Sequence, residues 1–159
     1  MTQDATFEEG GERPLRLRAF EPGDLEVIST LAQDALLSGA DMRWDRKRRR
    51  LALMLKRFRW EDQDRARRQG RAFERVQAVL AVEDVQTVAS QGVSRGDADI
   101  VLSLLGVAFE PAEDGAGRLI LTFSGDGALA VDVEALEVTL TDVSRPYTAP
   151  SGQAPAHPD

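Results

Sequence analysis

Cysteine is absent from these 159 residues, and there is one histidine and one tyrosine. The missing cysteines exclude disulfides, thiolate metal sites and thiol nucleophiles. The one histidine, His157, sits between Ala156 and Pro158 in a Pro/Ala/Gly-rich tail. A base in such a tail is not held within reach of a substrate, which argues against histidine triads, His-rich zinc sites and phosphohistidine chemistry. Catalysis would rest on carboxylates, Lys, Arg, Ser, Thr or Tyr147, and the sequence organises none of these into a site. No catalytic residue, metal ligand or cofactor is assigned, and weight moves from enzyme to binding protein. Long apolar runs are missing too: none approaches the ~20 residues that span a bilayer. Residues 1–15 are acidic and lack the apolar stretch of a signal peptide. A cytoplasmic protein without membrane contact is expected.

What is present describes a soluble globular chain, 42% hydrophobic and 30% charged. The net charge of −7 is unevenly spread. Residues 43–75 hold fourteen of the twenty Lys and Arg and five acids, so this window carries +9 and the remainder −16.

The organising stretch is WDRKRRRLALMLKRFRW, Trp44 to Trp60. Its cationic centre, Arg46 to Arg50, reads as the turn of a hairpin, and Leu51, Leu53 and Leu55 share one face of the second arm. Ala52, Met54, Phe58 and Trp60 share the other, so both faces are apolar in the middle, as in a central strand covered on both sides. Before it, Leu15 and Leu17 alternate with arginines in a first strand broken at Pro22-Gly23. A helical stripe follows, formed by Leu25, Ile28, Leu31, Ala32, Ala35 and Leu36 and stopped at Ser38-Gly39. After it, residues 61–72 read as a loop or short exposed helix, and Val76–Val93 as strand. Ile100–Phe109 is an apolar run whose first half also suits a helix. Ser124-Gly125-Asp126-Gly127 joins two β arms, residues 118–123 and 128–141.

The predicted fold is α+β: one N-terminal helix packed on a mostly antiparallel, strongly bent sheet of seven or eight strands, a half-barrel or two similar β lobes. Residues 1–13 form a mobile segment, 14–145 a single domain and 146–159 a disordered tail. A weak internal duplication, about 40–93 and 100–143, is suggested by Val82-Glu83-Asp84-Val85 and Val133-Glu134-Ala135-Leu136.

The blocks DLEVISTLAQDAL, MRW, RFRWE, RVQAVL and LILTFSGDGALAVDVEALEVTLTDV, spread over about residues 15–147, resemble an uncharacterised alphaproteobacterial family, domain-of-unknown-function family 2948. The resemblance implies a bacterial cytoplasmic protein and brings no activity with it.

Three function classes are weighed. The first is a non-catalytic binding or accessory protein acting through a protein interface, or through self-association. The second is a nucleic-acid module using the basic 43–75 surface, where guanidinium groups would meet phosphates and aromatic rings would stack on bases; the pI of 4.8 argues against it. The binding candidates for either are Trp44, Arg46, Arg48, Arg49, Arg50, Arg57, Arg59 and Trp60. The third is an acetyltransferase-like enzyme, because Arg67-Arg68-Gln69-Gly70-Arg71-Ala72 fits a pyrophosphate loop, although no apolar strand leads into it. Asp34, beside the helical stripe, is read as a structural acid, and Glu61 as a surface partner for nearby arginines.

Overall fold

The computed structural model describes residues 13–148 and Pro155. Most of the expected mobile N-terminal segment, and His157 with nearly all of the tail beyond residue 148, lie outside the described residues. The chain runs β1 (Arg16–Ala19), α1 (Pro22–Ala32), β2 (Ala35–Ser38), β3 (Met42–Asp45), β4 (Arg50–Phe58), α2 (Gln63–Gln69), β5 (Glu74–Val82) and β6 (Val85–Gln91). It continues with β7 (Val101–Pro111), β8 (Gly117–Phe123), β9 (Gly127–Val133), β10 (Val138–Asp142) and β11 (Tyr147–Thr148). Eleven strands form one open antiparallel sheet in the order β1-β10-β5-β4-β2-β7-β8-β9-β6, with β3 on β4 and β11 on β5. The class is α+β, as the residue patterns predict, but with more strands than the seven or eight expected.

One face of the sheet is apolar. Leu51, Leu53 and Leu55 of β4 lie opposite Val82, Leu80 and Ala78 of β5, and all six are buried. β8 and β9 bury Leu119, Leu121, Leu129 and Val131 in the same cluster. Leu25, Ile28 and Ala32 of α1 join it. That helix touches both β1 and β7, which stand five positions apart in the sheet. It also touches β10 and β4, which lie between them, so the bent sheet carries α1 against its apolar face. The outer face of β4 is covered only at its end, where Phe58 is buried; Met54 is 39% exposed and Lys56 points to solvent. The expectation of a strand buried on both sides is corrected. Ala52 and Met54 are apolar residues that a solvated face tolerates.

The helix is shorter than its stripe. Pro22 opens it, and Asp24 lies in the first turn where the dipole favours an acid. It ends at Ala32, not at Ser38-Gly39, because Asp34 takes a left-handed φ of 65° and donates its N–H to the Leu104 carbonyl at 2.7 Å. Ala35 and Leu36 consequently begin β2 instead of a further helical turn. Asp34 is buried. Ser29 of the helix accepts the Val107 N–H at 2.9 Å, where a bulge between Leu104 and Gly106 interrupts the pairing of β7 with β8. The run from Ile100 is strand, not helix, from Val101 onward. The long arm expected over 128–141 divides into β9 and β10. Tyr147 and Thr148, placed in the tail by composition, pair with Arg75 and Glu74 as β11.

The third strand of each half crosses to the other. After β4 and β5, β6 leaves to pair β9; after β8 and β9, β10 leaves to pair β5. Val82 stands opposite Val138, and Val85 opposite Val133. Where the chain crosses, the Glu83 N–H donates to the Glu137 carbonyl and the Glu134 N–H to the Asp84 carbonyl, each at 3.0 Å.

Gly39 marks a close approach. A Cβ there would lie 1.9 Å from the Ser94 carbonyl oxygen, whereas one at Gly23 would meet nothing within 4 Å. Gly39→Ala is expected to cost on the order of 2 kcal/mol in urea unfolding through overpacking against backbone. Gly23→Ala in α1 is expected to add roughly 0.5 kcal/mol in the same measurement.

Candidate functional site

β4 joins two charged regions. Arg50 begins it and Arg57 lies seven residues on, roughly 23 Å away at ~3.3 Å per residue. The basic stretch is therefore not one patch, and the eight sequence candidates divide between the two ends.

At the first end, β3 and β4 pair from Met42–Leu53 to Asp45–Arg50, leaving a turn of Arg46, Lys47, Arg48 and Arg49. Asp45 accepts the Arg48 N–H at 3.1 Å and lies 3.7 Å from its guanidinium. Arg49 has φ 57°, its carbonyl accepts the Val85 N–H at 2.9 Å, and its guanidinium bonds Glu134. Arg50 takes both oxygens of Glu83, at 3.1 and 2.9 Å. Trp44 is half-buried and packs against the core. Trp44, Arg46 and Arg49 line one side of a shallow hollow of about 500 Å³, and Val85 to Val88 of β6 line the other.

At the second end, the alternation that buries Leu51, Leu53 and Leu55 carries Arg57 onto the core face. Arg57 is 0% exposed. Its Nε and Nη2 donate to Asp142 at 3.2 and 2.9 Å, and its Nη1 and Nη2 to Glu61 at 2.8 and 2.9 Å. Asp142 reaches it because Val138 and Leu140 set the same alternation on β10, across β5. Asp142 also accepts the Leu15 N–H at 2.9 Å, holding the approach to β1. Burial pushes the Glu61 carboxyl up, but the hydrogen bonds and charge of Arg57, with the charge of Arg59, outweigh this and hold it below the ordinary value. Glu61 is thus the arginine partner expected, but in a largely buried bridge instead of a surface pair. Trp60 donates its indole N–H to the Gln33 carbonyl at 2.9 Å and meets Phe58 edge-on at 4.7 Å. Arg57 and Arg59 are removed from the expected exposed binding surface, because both are buried.

Arg59 extends this network. Its Nη1 bonds Glu74 and lies 3.5 Å from Asp62, whose two oxygens accept from Arg71 at 2.9 Å each. Its Nη2 is buried and has no hydrogen-bond partner among the described residues. Arg59 lies in the wall of an open cleft of about 650 Å³ between α2 and residues 142–146, with Arg13, Arg65, Arg71 and Arg145 also lining it. The lining carboxylates Asp62, Glu74 and Asp142 each accept from an arginine, so they hold charge in place and offer no free base.

The Arg67–Ala72 segment closes a helix instead of opening one. Gly70 caps α2 with φ 66°, and the Gly70 and Arg71 N–H groups donate to Arg67 and Ala66 carbonyls. Those two amides are not available to a pyrophosphate.

Residues 15–157 match a family described as a protein of unknown function (DUF2948). The chain belongs to this family. No curated protein and no solved structure matches it. The DUF2948 chain has no described helix long and apolar enough to cross a membrane. Among the described residues, no group of three or more acids or histidines is placed to hold a metal ion.

Asp62, Arg71, Glu74 and Asp142 were not among the sequence candidates. A signal for one pair was present: Arg57 extends the row Leu51, Leu53, Leu55, and Asp142 extends Val138, Leu140, so opposite charges stand at core positions of two strands. Arg57→Ala is expected to destabilise by about 3–5 kcal/mol, because it leaves Asp142 buried without its cation. Glu61 has a folded pKa below its ordinary 4.5. Its contribution is therefore present above about that pH and lost as the pH falls through the folded value. Urea midpoints measured from neutral to acid pH should fall less steeply for Glu61→Gln than for the wild type.

Proposed function

We propose that this chain is a non-catalytic binding or accessory protein of the bacterial cytoplasm, acting through a protein interface at the outer edge of β6. The observation that carries this is the edge itself. β6 ends the sheet, and its outer side has no strand partner among the described residues. It runs seven residues, VQTVASQ, without a charge. The opposite end, β1, is four residues long and carries Arg16 and Arg18, which discourage pairing. An extended segment of a partner laid along β6 would gain main-chain hydrogen bonds and drop a side chain into the hollow beside Trp44. Arg46 favours an acidic residue there.

The nucleic-acid reading has weaker support. Arg48, Arg49 and Arg50 each face a carboxylate, and Arg57 and Arg59 are buried at the far end of β4. Reversing all three turn arginines would set glutamates against Glu134 and Glu83, confounding binding with stability.

The test places a photocrosslinking residue at Ser90, recovers the crosslinked protein with and without nuclease, then purifies it and rebinds it. The expected result is slowed amide exchange over residues 86–91 in the complex. Trp44→Ala should weaken binding about tenfold and Ala89→Lys should abolish it. Retention that disappears with nuclease, or protection confined to other strands, would replace this reading.

A further inference from the structure

The cleft at the other end of β4 is not used by a β6 interface. Four features of it converge. Arg59 is 5% exposed and its Nη2 has no acceptor among the described residues. A buried guanidinium N–H without a partner costs free energy that an incoming oxygen recovers. Among the described residues the lining holds five arginines, Arg13, Arg59, Arg65, Arg71 and Arg145, against three acids. Those acids are already engaged by arginines, while Arg13 and Arg145 form no ion pair among the described residues. The volume of about 650 Å³ is in the range of ligand sites. Among the described residues the lining contains no Phe, Tyr or Trp to stack on a nucleobase.

We propose that this cleft binds a small, multiply charged anion, a phosphate ester or a polycarboxylate, with Arg59 as its buried anchor and Arg13 and Arg145 closing over it from the rim. Planar guanidinium groups suit either kind of oxyanion, because both offer paired oxygens to a fork of N–H donors. Glu74 and Asp62 hold the Arg59 Nη1 side of the fork, while Nη2 has no acceptor among the described residues. Val76, Pro14 and Pro146 supply the apolar part of the lining, against which a short carbon skeleton packs.

Isothermal titration of the full chain at low salt, with pyrophosphate and separately with citrate, tests the assignment. Saturable one-to-one binding of at least one probe is expected; pyrophosphate alone points to phosphoryl ligands and citrate alone to carboxylates. The double variant Arg13→Ala/Arg145→Ala alters two exposed side chains and should keep the wild-type unfolding temperature while weakening the bound probe at least about tenfold. Arg59→Lys, which keeps charge but loses the fork, should weaken it similarly. Arg48→Ala, at the far hairpin turn, should change nothing. The proposal is overturned if neither probe saturates, if the double variant binds like the wild type, or if Arg48→Ala weakens binding as much, since general charge attraction would then account for it.

Discussion

A charge stands at the end of an apolar row, and much of this structure follows from that. The β alternation that buries Leu51, Leu53 and Leu55 puts Arg57 on the same face, fully out of water. A lone buried guanidinium is costly, so its donors must be met. Asp142 meets them from β10, across β5, and Glu61 from the turn after β4. This bridge ties β4, β10 and the turn after β4 together, and through Leu15 it also sets where the chain enters β1. Arg59, Asp62, Glu74 and Arg71 continue it outward until, among the described residues, one nitrogen has no acceptor left.

Topology separates this network from the hairpin turn. β4 runs from one to the other, so two charged regions adjacent in sequence become opposite ends of a strand. The exchange of β6 and β10 between the halves of the sheet supplies each end with its acids. Asp142 arrives on β10 at the Arg57 end; Glu83 and Glu134, at the crossing points, arrive at the Arg49–Arg50 end. The cationic window of +9 is thereby matched to part of the remaining −16. Surface pairs of this kind contribute little stability each, yet they decide which arginines are available to a partner.

Several elements were legible because they depend on neighbours in sequence. The hairpin around Arg46–Arg49, the strands from Val76, and the turn at Ser124–Gly127 follow from alternation and turn chemistry alone. The helix start was legible at Pro22 and Asp24, but not its end. Ala35 and Leu36 continue the helical stripe, and only the bond from Asp34 to Leu104 draws them into β2. Of the eight candidate binding residues, the six outside the pair Arg57 and Arg59 remain at least partly exposed. Composition could not tell an arginine in a turn from one at the inward end of a strand.

By itself the sequence determined the class of fold, the family, and the disulfide and thiol chemistries that absent cysteine removes, because these rest on residue identity and local period. Only the tertiary structure decided strand exchange, the bend around α1 and the partner of each charge. These depend on contacts between residues far apart in the chain: Arg57 and Asp142 are separated by 85 positions, and no local pattern specifies which acid a buried arginine will find.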